Sequence, residues 1–245
     1  MTAPAAAAGA PVATAARPRA ADPPSVAWSM TEHRPRARLL SVDEYLRLEE
    51  RAAVKHEYVG GRVYAMTGVT LAHERVVNNV HFALRSQLRG APCELFTKEV
   101  KVRTGDQVYY PDLVARCGPR LPGDTVVVAD PCLLVEVLSP RTRTTDRREK
   151  RLAYQRIPTL RAYLVVEPRW RLVEHWFRTP DGRWDLAEAT GADTIALDCP
   201  PATLALDAIY ADLDVPDRPV RRLREQPGGG YRRAVGGPAT GAHDP

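Results

Sequence analysis

Two carboxylates in this sequence stand where carboxylates are costly. Asp112 follows Pro111 and opens the apolar stretch LVARC, and Glu136 sits inside PCLLVEVLSP, residues 131–140. There Leu133, Leu134, Val135, Val137 and Leu138 form an almost unbroken apolar run between two prolines, the composition of a strand buried on both faces. An ionised carboxylate withdrawn from water costs several kcal/mol unless it is paired, hydrogen-bonded or metal-bound, so Glu136 needs something to hold. If the two stretches are neighbouring strands, as consecutive strands usually are, both carboxylates meet at one place. Oxygen ligands in small number suit Mg²⁺ or Mn²⁺, which keep several waters and take phosphate oxygens as further ligands. The competing arrangement pairs each carboxylate with an arginine, and the pattern of these two residues leaves both open.

A lysine follows on the next element. In DRREKRLAYQRI, which reads as a helix with Asp146 as N-cap and Glu149 three residues on, Lys150, Ala153, Tyr154 and Ile157 stand at i, i+3, i+4 and i+7. Three of these four suit burial, so Lys150 heads the packed face and calls for an anionic partner, with Glu136 close by in the chain. Snorkelling to solvent is the alternative. Arg141, Arg143, Arg147, Arg148 and Arg151 surround it; Arg141 and Arg147 are candidates to contact a phosphate-bearing substrate, although a solvated basic face has the same composition.

The elements that must position these groups are legible in outline. SVDEYLRLEE has the capping-box spacing of Ser41 and Glu44, HEYVGGRVYAM reads as a hairpin about Gly60 and Gly61, and TLAHERVVNNVHFALRSQL places Val76, Val77, Val80, Leu84 and Leu88 on one helical face. CELFTKEVKVR, VYYPDLVARC, LLVEV and RAYLVVEP follow as strands, RLVEHWFRTPDGRWDLAEA as a hairpin turning at Asp181-Gly182, and ALDAIYADL as a closing helix. This order predicts one α+β or α/β domain over residues 39–214.

At 245 residues with 44% hydrophobic content, the chain can bury a substantial core. No apolar run approaches the roughly 20 residues that span a bilayer, and the N-terminus lacks a secretory pattern, so the expectation is a cytoplasmic protein without membrane association. Of the net charge of +5, residues 1–38 and 215–245 carry +3 each and the intervening segment −1. Both tails are rich in Ala, Pro, Gly and Arg and are expected to be disordered. Cys93, Cys117, Cys132 and Cys199 form no C-x-x-C pair and are expected as separate core thiols, not as a zinc ribbon or a disulfide framework. Phosphate-loop, dinucleotide, nucleophile-elbow and zinc-helix motifs are absent.

Taken in order, Glu57, His73, Pro111-Asp112, Glu136-Val137-Leu138-Ser139, Asp146, Lys150, Tyr154 and the stretch AYLVVEP resemble the Uma-two family of restriction-endonuclease-like proteins, within the PD-(D/E)xK nuclease superfamily, from about residue 40 to about residue 210. The resemblance implies a restriction-endonuclease-like core, a mixed central sheet flanked by helices, and an endonuclease that hydrolyses DNA phosphodiester bonds with Mg²⁺ or Mn²⁺. Pro111-Asp112 matches the PD element and Glu136 the second acidic residue. The superfamily lysine would fall at Leu138; in this family it comes from the next helix, at Lys150, in agreement with the periodicity. The resemblance implies that Asp112, Glu136 and the Val137 carbonyl hold the metal, that Glu57 completes its shell, and that His73 either touches substrate or has a structural role. It also implies a homodimer. The alternative is a catalytically silent nuclease fold that binds DNA or protein.

Overall fold

Helix α1, Val42–Glu49, begins at the expected capping box: Ser41 Oγ accepts from Glu44 N (3.2 Å) while Ser41 N donates to Glu44 Oε2 (2.9 Å). The computed structural model describes residues 38–140 and 142–218, so Arg141 and nearly all of the two expected tails lie outside the described residues. Strands β1 (His56–Val59) and β2 (Arg62–Ala65) pair across Gly60 and Gly61, whose φ angles of 54° and 87° are those that a two-residue turn with both central residues left-handed demands. Helix α2, Leu71–Gln87, is capped by Thr70, whose hydroxyl accepts from His73 N, and its stripe of Val76, Val77, Val80 and Leu84 is buried.

The chain continues as β3 (Cys93–Thr97), β4 (Lys101–Thr104), β5 (Gln107–Tyr109), β6 (Leu113–Cys117), β7 (Val127–Val128) and β8 (Leu133–Val137). A π-helical turn, Thr145–Lys150, runs directly into α3 (Arg151–Tyr154). Then come β9 (Ala162–Glu167), β10 (Leu172–Arg178), β11 (Trp184–Thr190), β12 (Thr194–Leu197), β13 (Ala202–Ala205) and α4 (Leu206–Ile209). Six strands form the main sheet in the order β11-β10-β9-β8-β6-β3, parallel at β8–β9 and antiparallel elsewhere. A second sheet has the order β2-β1-β5-β4-β7, and β12 pairs with β13.

Two stretches expected as single strands are each divided. CELFTKEVKVR turns at Lys98, a left-handed residue with φ 47°, and VYYPDLVARC breaks at Tyr110-Pro111-Asp112. In both places the chain passes between the two sheets, and Pro111 has no N–H to extend a ladder. Lys98 N donates to the Asp112 carbonyl (3.3 Å), so the two crossings are tied together.

Every residue of β8 is buried, and successive side chains alternate between two layers. Leu133, Val135 and Val137 pack with Val76, Val80 and Leu84 of α2, while Leu134 and Leu138 join Tyr109, Tyr154 and Tyr163 on the opposite side. Glu136 shares the parity of Leu134 and points into that second layer, between the sheets.

The cysteines correct the sequence expectation. Cys93 is bonded to Cys117 and Cys132 to Cys199, and no described cysteine is free. The β3–β6 register sets Cys93 opposite Cys117, at a chain separation of 24 residues. Linear spacing carries no trace of that register. No helix among the described residues is long and apolar enough to cross a membrane.

Candidate active site

Strands β6 and β8 are adjacent, and the residues at their common end face one cavity of about 340 Å³. Asp112 Oδ2 accepts from Val137 N (2.8 Å) and lies 3.1 Å from His73 Nε2. Because Val137 follows Glu136, that hydrogen bond ties the positions of the two carboxylates to each other. Glu136 Oε1 accepts from Lys150 Nζ (3.0 Å) and from the Tyr154 hydroxyl (2.9 Å). Tyr154 is held edge-on between the rings of Tyr109 and Tyr163, and Tyr163 in turn donates to the Asp146 carbonyl (3.0 Å).

Lys150 is the hub. Its Nζ lies 2.8 Å from Glu57 Oε1, 3.0 Å from Glu136 Oε1 and 3.3 Å from Asp146 Oδ1, and it stands over the Tyr109 ring. Glu57 arrives from β1 in the second sheet, and Lys150 and Asp146 from the π-helical turn, a distortion frequent at functional sites. Three carboxylates, Glu57, Glu136 and Asp146, thus surround one ammonium, and Asp112 lines the same cavity. Burial first, and then the charges of Asp146, Asp112 and Glu57, push the Glu136 carboxyl well above the usual range against the pull of Lys150. Burial likewise raises Asp146, again against Lys150. For Lys150 burial disfavours the charge, yet the Glu136, Glu57 and Asp146 carboxylates override it and hold the ammonium well above its ordinary pKa.

This donor set fits a hard divalent cation. Asp112 and Glu136 each commit one oxygen, Oδ2 and Oε1, to protein donors, while Asp112 Oδ1 and Glu136 Oε2 accept no protein hydrogen bond among the described residues. Oxygens left open in a cavity with surplus negative charge are what Mg²⁺ or Mn²⁺ requires.

Asp112, Glu136, Lys150, Glu57, His73 and Val137 all line the cavity. Among the described residues neither Asp112 nor Glu136 is paired with arginine, and Lys150, 4% exposed, does not snorkel. Arg147 is turned instead to Glu174 (2.7 Å) and does not line the cavity. Val137 engages Asp112 through its N–H. Asp146 is not the N-cap: Thr144 holds that position, and Asp146, 1% exposed, faces Lys150 from one helical turn away. Its i, i+4 spacing to Lys150 was the signal available in sequence. Glu149, which accepts from the Tyr109 hydroxyl (3.1 Å), also lines the cavity and had no comparable signal.

His73 is buried and its Nε2 fixes one Asp112 oxygen. Partners that orient a ligating carboxylate are typically worth about 10–100-fold in metal affinity or activity. His73→Ala is expected to lose about that much in metal affinity, and His73→Gln, whose amide can reach the same oxygen, to recover most of it; metal titration of the two variants measures both.

A family model described as "Uma2: Putative restriction endonuclease" matches residues 42–208. An uncharacterized protein of Synechocystis sp. (strain ATCC 27184 / PCC 6803 / Kazusa), slr1290, is 34% identical over 188 residues, 75% of this chain and 99% of its own. A second from the same strain, sll1609, is 28% identical over 158 residues, 63% of this chain and 89% of its own. Among solved structures, one described as "a putative nuclease belonging to DUF820" from Anabaena variabilis ATCC 29413 aligns with a TM-score of 0.57 at 15% identity, over 70% of this chain and 97% of that one. That likeness bears out the fold class read from the sequence.

Proposed function

The chain belongs to the Uma2 family, described as "Putative restriction endonuclease", and from that premise we propose that it is a metal-dependent endonuclease hydrolysing phosphodiester bonds of DNA. The observation that carries this reading is the pair Asp112, immediately before β6, and Glu136, on the adjacent β8, each with one oxygen free of protein donors in a shared cavity beside the Lys150 ammonium. Asp112 Oδ1, Glu136 Oε2 and the Glu57 carboxylate are the oxygens that would hold Mg²⁺ or Mn²⁺, with the Val137 carbonyl as main-chain candidate. Bound there, the ion would lower the pKa of a water and neutralise charge on the attacked phosphate.

The remaining roles belong to the chain. With its pKa held above the ordinary lysine value, Lys150 acts as a cation and not as a base: it stabilises charge developing on the phosphate from a fixed, water-poor position. Tyr154 and Lys150 pin Glu136 through one oxygen, and Val137 N and His73 do the same for Asp112, so the open oxygens are preorganised.

Supercoiled plasmid incubated with purified protein across Mg²⁺ and Mn²⁺ concentrations tests the proposal, with Asp112→Asn run in parallel. Nicking that requires metal and is lost in the variant is the expected result. Accumulation of linear product would report paired cuts, as the expected homodimer would make. If neither protein cuts and neither binds metal, the silent fold acting as a DNA- or protein-binding module becomes the better reading. Equal cutting by both identifies a contaminant.

A further inference from the structure

Strands β6 and β8 carry a second convergence of metal-ligating groups, at the end away from the carboxylates. The Sγ atoms of Cys117, Cys132 and Cys199 all lie within 4.8 Å of one another, and Cys93 is bonded to Cys117. These four sulfurs come from four separated segments: the start of β3, the end of β6, the residue before β8, and the turn between β12 and β13. Two disulfides need proximity only within each pair. Nothing in disulfide bonding requires the two pairs to meet.

We infer that Cys93, Cys117, Cys132 and Cys199 form a redox-convertible metal site, whose thiolates bind one Zn²⁺ when both disulfides are reduced. A Zn–S length of about 2.3 Å places tetrahedral thiolate sulfurs about 3.8 Å apart, so three of the ligands are within a small adjustment of that geometry. Cys93 and Cys132 are buried, and Cys117 and Cys199 half-buried, which suits a closed structural centre with no position left for water. Conversion balances with a dithiol as reductant. Each cysteine disulfide accepts two electrons and two protons, the dithiol becomes a disulfide, and the four resulting thiols release their protons to solvent as Zn²⁺ binds.

The site is distinct from the carboxylate cavity. Along β8, Cys132 and Glu136 are four residues apart, about 13 Å at about 3.3 Å per residue, and along β6 the order is reversed, with Asp112 at the cavity end and Cys117 at the other. Disulfide bonds and metal are therefore interchangeable clamps on the strands that present the catalytic carboxylates.

Full-length protein, reduced anaerobically with a dithiol and freed of it, is titrated with Co²⁺. The expected result is thiolate-to-cobalt charge transfer with intense tetrahedral visible bands, saturating at one ion per chain and bleached by one equivalent of Zn²⁺. The same spectrum is expected from Asp112→Asn, because the carboxylate cavity supplies no sulfur ligand and oxygen ligands give no thiolate charge transfer. Cys132→Ser and Cys199→Ser should each weaken the bands and the affinity for Co²⁺, and unchanged bands and affinity in both would overturn the proposal. Wild-type protein alone suffices if these variants fold poorly. Reduced wild-type chain without the bands, or oxidised chain with them, refutes the site.

Discussion

Lys150→Met is expected to abolish cleavage and to lower stability by about 3–5 kcal/mol, the range for removing one partner of a buried charge cluster. Methionine fills most of the same volume, so a cavity is not the cause. The loss comes from charge: Glu57, Glu136 and Asp146 all lie within 3.3 Å of Nζ, and without the ammonium they face one another in a buried site. Urea unfolding near neutral pH should show a lower midpoint with an unchanged slope. Acidification should narrow the gap to wild type, because protonating the orphaned carboxylates removes their repulsion. Lys150→Arg is not expected to restore activity, since a planar guanidinium cannot direct one point charge at three carboxylates. A wild-type midpoint for Lys150→Met would show that the cluster contributes nothing to the fold, and would undo the account of why Lys150 is charged.

The path from sequence to site was clearest where local chemistry and periodicity agree. Ser41 and Glu44 cap α1 as their spacing requires, the Gly60-Gly61 turn has the dihedral angles its residues allow, and Glu136 inside an apolar strand signalled a buried partner. The helical face running from Lys150 to Ile157 correctly predicted a lysine directed inward. What was not legible depends on long-range register. That Glu57 would come from a second sheet to meet Lys150 is fixed by how β1, β5 and β4 assemble, and that Cys93 would face Cys117 by the pairing of β3 with β6. Asp146 illustrates a third case. Its position fits both a helix cap and a buried i, i+4 partner of Lys150, and the outcome is decided by the π-helical turn, which local propensity does not announce.

Glu136→Gln separates catalysis from stability. Glutamine keeps an oxygen that can accept from Lys150 and Tyr154 but removes a charge already crowded by Asp146, Asp112 and Glu57. Activity is expected to fall about 10³-fold, since metal-borne charge stabilisation is worth several kcal/mol and each 1.4 kcal/mol is about tenfold. Stability should move the other way at and above neutral pH. The folded-state pKa of Glu136 lies above its unfolded value, so its stabilising contribution is complete below the ordinary carboxylate range and is lost as pH rises through the folded value. Asp146 is raised too and adds to the same slope. Metal-free wild type should therefore weaken as pH climbs out of the carboxylate range, and Glu136→Gln should weaken less. Mg²⁺ reverses the comparison: binding needs the ionised carboxylate, so it should stabilise wild type increasingly with pH and leave the variant nearly unchanged. Thermal melts across pH, with and without Mg²⁺, measure all of this. Should Glu136→Gln instead lose stability on the scale of Lys150→Met, with no Mg²⁺ effect on wild type, Glu136 is only the anion that keeps Lys150 buried, and the open oxygen holds no metal.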